Sequence, residues 1–224
     1  MSAILQNYNL AYISAPKCAC TSIKELIFRI ENNCDFNKAR DQKGAIRLHI
    51  NGKRHYIHNF YPTIAYEEQP LHLLAKLQCF CVVRNPLDRI VSCYWNRVVR
   101  YGELNPEKIC NLEIDAPANP NLNEFIIHLD QYCKSPRINH HSLPLTHFLG
   151  NKPDVYTKIF NLKNINHLPK HLKQYFGRTR KLSHLQARLS ESTVTQSINI
   201  LSTEAAQQIR DRYSDDFDCY GKYF

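Results

Sequence analysis

Two stretches in which a short apolar strand runs straight into an amphipathic helix predict an α/β fold, and a third strand-then-helix pattern near residue 160 supports it. In the first, Leu10 to Ser14 is apolar and rich in strand formers, Pro16 breaks it, and Ile23, Leu26, Ile27 and Ile30 then repeat at the spacing of one helix face. In the second, Cys79-Phe-Cys-Val-Val83 is the continuous apolar run of a strand buried on both faces of a parallel sheet. Leu87, Ile90, Val91, Tyr94 and Val98 give the next helix its face. Strands that alternate with helices pack as a parallel sheet covered by those helices. The 224 residues show no compositional break, and 43% of them are hydrophobic, enough for one core, so a single domain over 1–224 is expected.

The first junction carries the chemistry. Thr21 and Ser22 stand where the helix is expected to begin, and Ser22 with Glu25 forms a capping-box pattern, so the N–H groups of the first turn should point back into the loop that holds Lys17. A helix N-terminus beside a lysine is an anion site. A Walker loop is excluded, because no glycine occurs between Met1 and Lys43 and the lysine precedes the loop.

Beyond a polar stretch from Asn32 to Lys43, Ile46–Ile50 and Lys53–His58 flank Asn51-Gly52, a strong hairpin signal that places His49, His55 and His58 on strands. Leu71–Gln78 reads as a short helix. At the second junction Arg84 ends the strand, Asn85 is a good N-cap, Pro86 suits the first helical position and Asp88 complements the helix dipole. Arg89, Ser92 and Asn96 fall off the apolar face.

Residues 101–121 read as irregular, and Phe125, Ile126, Leu129 and Cys133 form a helical stripe. Ile138–Gly150 reads as a loop with His140, His141 and His147, which lack a carboxylate or thiolate at a fixed helical offset, so no metal is expected. Val155–Leu162 is the third strand, and His167–Phe176 a helix closed by Gly177. A basic cluster of Arg178, Arg180, Lys181 and Arg188 follows. Ser202 or Thr203 caps a last helix with Ala206, Ile209 and Tyr213 on its face.

A formal charge of +9, from 29 Lys+Arg against 20 Asp+Glu, favours an anionic partner. No run of five like charges or basic arm exists, so nucleic acid is not the expected one. Nine cysteines without a signal peptide, and no apolar run near the roughly 20 residues of a membrane span, predict a soluble cytoplasmic protein with reduced thiols. The two Cys-x-Cys pairs lack the spacing of common zinc sites.

Pro16-Lys-x-x-x-Thr-Ser22 resembles the phosphosulfate-binding loop of sulfotransferases that use 3′-phosphoadenosine-5′-phosphosulfate (PAPS). Residues 79–94, a strand followed by Arg-x-Pro-x-x-Arg-x-x-Ser-x-Tyr, are similar to the 3′-phosphate-binding segment of the same family, especially its carbohydrate-modifying branch of heparan 2-O and chondroitin type. Tyr213-x-x-Asp-Phe-x-x-Tyr-Gly221 is similar to the family's C-terminal signature. The resemblance runs from about residue 10 to the end and implies a three-layer α/β sandwich with a central parallel sheet and a P-loop-like phosphosulfate loop.

It also implies roles. Pro16, Lys17, Cys18, Ala19, Cys20, Thr21 and Ser22 would hold the 5′-phosphosulfate, with Lys17 neutralising charge on the leaving oxygen. Arg84 and Ser92 would hold the 3′-phosphate, and Arg188 is a further candidate for the nucleotide. PAPS is the implied co-substrate, without a metal. The implied acceptor is a hydroxyl, in this branch on a saccharide. Histidine takes a proton near neutral pH, and the heparan 2-O enzymes carry their proposed base a little over twenty residues before the 3′-phosphate arginine. His58 lies 26 residues before Arg84 and His55 lies 29 before it, in His-Tyr-Ile-His where those enzymes have His-x-His. Glu67, Glu68 and His72 are the next candidates. A nucleotide kinase would share the fold but should show a Walker loop and a metal-holding carboxylate. A non-catalytic module binding anionic glycan or nucleic acid would also account for the charge.

Overall fold

Strands that lie inside a sheet need apolar side chains on both faces, and the two central strands have them. A computed structural model describes residues 3–32, 36, 49–50, 53–54, 56–176 and 197–224. They fall into two units, 1–83 with 147–186 and 84–146 with 187–224.

The first unit holds a four-stranded sheet ordered β1-β2-β5-β6, with β1 Ala3–Leu5, β2 Leu10–Ile13, β5 Gln78–Val83 and β6 Lys158–Asn161. The strands β2, β5 and β6 are parallel, with Ile13 opposite Cys81 and Val83 opposite Asn161. Every residue of β2, and Cys79 to Val83 of β5, is buried, the pattern of strands covered on both sides. The expected strands at 10, 79 and 155 are therefore present.

The edge strand β1 is a modification of that expectation. It pairs antiparallel with β2, Ala3 opposite Tyr12, through a 3-10 turn at Gln6–Tyr8 that closes on a left-handed Asn9 with φ 50°. The sheet is thus mixed. Three residues are too few for periodicity to reveal, and asparagine's tolerance of the left-handed region is the one sequence signal for the turn.

Helix α1, Cys20–Asn32, buries Ile23, Leu26, Ile27 and Ile30 as the spacing predicts, and also Lys24 and Phe28. The helix Leu168–Phe176 sets His171 edge-on to Phe80 of β5 and Phe160 of β6, with ring centroids 6.4 and 5.2 Å apart. Tyr12 and Phe80 stack across β2 and β5 at 5.0 Å. The hairpin exists as β3 His49–Ile50 paired with β4 Lys53–Arg54, while Asn51, Gly52 and His55 lie outside the described residues.

One expectation fails here. His58 is not on the second hairpin strand, which ends by Arg54, but on a short helix, Ile57–Phe60. The cause is packing. Ile57 is buried with Phe28 and Phe36, Phe60 lies edge-on to Phe28 at 5.7 Å, and Tyr61 donates to the Glu31 carboxylate, so the segment coils against α1.

In the second unit Asn85 accepts from the Leu87 N–H at 2.9 Å and caps the helix Pro86–Cys93, as its sequence predicts. The chain continues as a π-helix, Tyr94–Arg100, a form that is rare and usually confined to single turns. Ile90, Val91, Val98, Phe125, Leu129, Ile209 and Tyr213 are core residues of this unit. Asn121 and Glu124 form a complete capping box for the helix Leu122–Ile127, and Ser202 caps Thr203–Arg212 by accepting from the Ala205 N–H at 3.1 Å.

Two readings change in this part of the chain. Ile138–Gly150 is not a loop but carries the helices Pro136–Ser142 and Leu145–Leu149, which histidine-rich composition disguised. Arg89, read only as lying off the apolar face of its helix, has a fully buried side chain.

Candidate active site

The chain leaves the carboxyl end of β2 through a four-residue turn, Pro16–Ala19, and enters α1 at Cys20. Lys17 and Ala19 both have left-handed backbones, with φ of 65° and 57°, although neither is glycine. Each such residue costs roughly 1–2 kcal/mol, and strain of this kind collects at functional sites. The Ile23 N–H bonds the Ala19 carbonyl at 3.1 Å, so Ala19 occupies the cap position. This corrects the capping-box expectation: Ser22 is the third helical residue and Thr21 the second. The tight turn starts the helix three residues earlier than a cap at Ser22 would. Pro16 and Cys18 are buried, while Lys17, Ala19, Cys20, Thr21 and Ser22 are half-buried.

Five side chains meet beside this turn. Thr21 Oγ1 lies 3.0 Å from His58 Nε2, and Lys24 Nζ lies 3.3 Å from His58 Nδ1. Lys24 Nζ also donates to Thr63 Oγ1 at 2.6 Å, and Thr63 lies 2.8 Å from the hydroxyl of Ser14, which follows β2. Burial pushes the Lys24 ammonium down to about 8, partly offset by the Cys20 thiol one turn before it. Its surroundings disfavour the charged form. Burial also raises the Cys81 thiol and the Tyr12 phenol well above their usual values.

Of the sequence-predicted residues, the structure brings Thr21 and His58 together. Arg84 follows the last residue of β5 and is half-buried, and Ser92 is buried on the helix Pro86–Cys93. Both belong to the second unit, whereas Lys17, Thr21 and His58 belong to the first. His55 and Arg188 lie outside the described residues, as do Arg178, Arg180 and Lys181. Glu67, Glu68 and His72 are exposed.

Sequence reasoning missed Lys24, Ser14 and Thr63. The available signal was the position of Lys24 directly after Ile23 and four residues before Phe28, at the edge of the apolar stripe.

The sulfotransferase family model matches residues 2–223. The chain belongs to the sulfotransferase family. Neither the curated proteins nor the solved structures give a match. Membership makes this chain a transferase of sulfuryl groups, and it fits the mixed α/β architecture of a four-stranded sheet flanked by helices. Among the described residues of this sulfotransferase-family chain, no helix is long and apolar enough to cross a membrane. Nor, among those residues, is any group of three or more His, Cys, Asp or Glu side chains arranged to hold a metal ion.

Proposed function

We propose that the chain transfers the sulfuryl group of PAPS to a hydroxyl of a saccharide by in-line displacement. The observation that carries the reading is the turn Pro16–Ala19, left-handed at Lys17 and Ala19, which opens a 13-residue helix at the carboxyl end of a parallel strand. Carboxyl ends of parallel strands are where α/β sheets bind ligands, and backbones that alternate in handedness turn N–H groups inward around an anion.

Sulfuryl transfer, like phosphoryl transfer, asks for alignment, neutralisation of the leaving oxygen and a base. In this reading the N–H groups of residues 18–22 and the hydroxyls of Thr21 and Ser22 hold the phosphosulfate. Lys17 faces the bridging oxygen as the S–O bond breaks. Arg84 and Ser92 hold the 3′-phosphate that distinguishes PAPS from ATP, with Arg188 a further contact. His58, already in contact with Thr21, accepts the acceptor's proton, and His55 is the alternative.

The experiment is to incubate the chain with PAPS and panels of saccharide, phenol and lipid hydroxyls and weigh the products. Addition of one sulfuryl group to saccharides is the expected result. Sulfation confined to phenols or lipids would overturn the acceptor class, and no transfer to any panel would overturn the reading.

A further inference from the structure

The π-helix Tyr94–Arg100 is followed by Gly102, whose left-handed backbone, φ 56°, turns the chain back. The Gly102 N–H bonds the Val98 carbonyl at 3.0 Å and the Glu103 N–H bonds the Arg97 carbonyl at 2.9 Å, so Glu103 returns beside Arg97. Its side chain is only 5% exposed. Three cations from three elements meet its carboxylate: Arg97 of the π-helix at 3.9 Å, Lys108 of the helix Pro106–Ile109 at 3.6 Å and Arg137 of the helix Pro136–Ser142 at 2.9 Å.

A buried carboxylate needs one cation, and Arg137 supplies it through a hydrogen bond. Two more cations at the same group repel each other, and one negative charge does not cancel them. Arg100 adds a fourth, since its guanidinium and that of Arg97 lie over the Tyr101 ring at 5.6 and 5.4 Å. Among the described residues Glu103 is the only carboxylate paired with any of the four.

Donors are left over as well. Arg137 has five N–H groups, its contacts within the described residues run through Nη1 alone, and its side chain is 69% exposed. Lys108 donates to the Tyr101 carbonyl at 2.6 Å and faces Glu103, and it is half-exposed with a third N–H unused. Arg97 is held in place by the His141 ring.

We propose that Arg97, Lys108 and Arg137, gathered on Glu103, form a binding site for a doubly charged oxyanion group of the sulfate or phosphate class. Such a group carries the second charge that a carboxylate lacks, and its oxygens accept from guanidinium and ammonium together. Glu103 acts as the organiser, holding the cations close before any ligand arrives. None of these residues is assigned to PAPS in the reading above.

The test is side-chain ¹H–¹⁵N spectroscopy of the arginines in the full chain, with the Arg97 and Arg137 Nε–H signals assigned by their loss in Arg97→Lys and Arg137→Gln. The Arg97 Nε is buried and has no hydrogen-bond partner among the described residues, so its signal reports on the cluster itself. Inorganic sulfate should shift both signals along a saturating curve. Chloride at equal ionic strength should not, because screening alone does not saturate, and acetate should need a several-fold higher concentration. Lys108→Gln and Arg137→Gln, both at exposed side chains, should each weaken sulfate binding by about three- to fivefold, the size of one exposed charge contact, read on the Arg97 signal. A monosaccharide sulfate ester distinguishes the sources: tighter binding than inorganic sulfate marks the group as part of a saccharide, equal or weaker binding marks the free ion, and either upholds the site. A response shared with chloride, equal affinity for acetate, or unchanged affinity in both variants overturns the proposal. The spectra need neither PAPS nor turnover, so the outcome is separate from that of the sulfotransfer reading.

Discussion

Arg89 Nη2 and Asp216 Oδ2 lie 3.9 Å apart, and both side chains are fully buried. Asp216 also accepts from the N–H groups of Leu145 and Thr146 at 2.8 and 2.9 Å, and Arg89 donates to the Leu143 carbonyl at 2.6 Å while its guanidinium lies over the Tyr213 ring. The family-like C-terminal stretch therefore contributes a buried charge as well as the aromatic clasp that Tyr213 makes through its bond to the Ser142 carbonyl. Removing one partner leaves the other charge uncompensated. Asp216→Ala should lower stability by about 3–5 kcal/mol, read as a shifted denaturant midpoint; a change within the range of ordinary surface substitutions would show that the pair is dispensable.

Adenosine 3′,5′-bisphosphate should protect the chain from heat far better than ATP. At a hundredfold excess over its Kd, a ligand adds about 2.7 kcal/mol, which for a chain of this size is about 5–10 °C in Tm. Arg84→Ala should remove most of that preference. Equal protection by both nucleotides would favour a kinase.

Lys17→Ala should abolish turnover and leave affinity for adenosine 3′,5′-bisphosphate within about tenfold, because the lysine is assigned to charge that develops only as the bridging oxygen leaves. Single-turnover kinetics with isothermal titration separates the two effects. Normal kcat in the variant would remove Lys17 from the mechanism.

His58→Ala should lower kcat by roughly 10²–10⁴-fold with nucleotide affinity intact, and His55→Ala should be milder. The reason is contact: His58 reaches the hydroxyl of Thr21 at 3.0 Å. If His55→Ala proves the more damaging, the base is His55, and if neither slows turnover tenfold the next residues to replace are Glu67, Glu68 and His72.

Lys24 gives a stability signature independent of turnover. Its folded pKa is about 8 against an ordinary 10.5, so between those values the unfolded chain binds more protons and stability gains with rising pH. The gain is absent below 8, where the ammonium is charged in both states. Relative to Lys24→Met, the unsubstituted chain should gain about 3 kcal/mol between pH 7 and 10.5, measured as the difference between the two urea midpoints. Parallel pH curves for the two proteins would show that Lys24 is not depressed.

The sequence made the strand-to-helix junctions legible because each element there follows its own periodicity and cap: β2, β5, the Asn85 cap and the apolar face of α1 all stand where local pattern puts them. His58 was placed on the wrong element because Asn51-Gly52 announces a hairpin but does not say where the second strand stops. That was decided by Ile57 and Phe60 packing on Phe28, a contact 29 residues away in sequence for Ile57. Lys24 was not singled out, and Arg89 was read only as lying off the apolar face, for the same reason. Their burial depends on partners, Thr63 and His58 in one case and Asp216 in the other, that no window around them contains.

The left-handed backbones of Lys17 and Ala19 also bear on selectivity. A glycine at either place would adopt that backbone freely but would also widen the set of shapes open to the turn. With side chains there instead, the shape is imposed by the surrounding sheet and helix against local preference. On the proposed reading, in which this turn holds the phosphosulfate, it would act as a rigid gauge rather than a flexible wrap, and an anion of the wrong outline would find no second conformation of it to select.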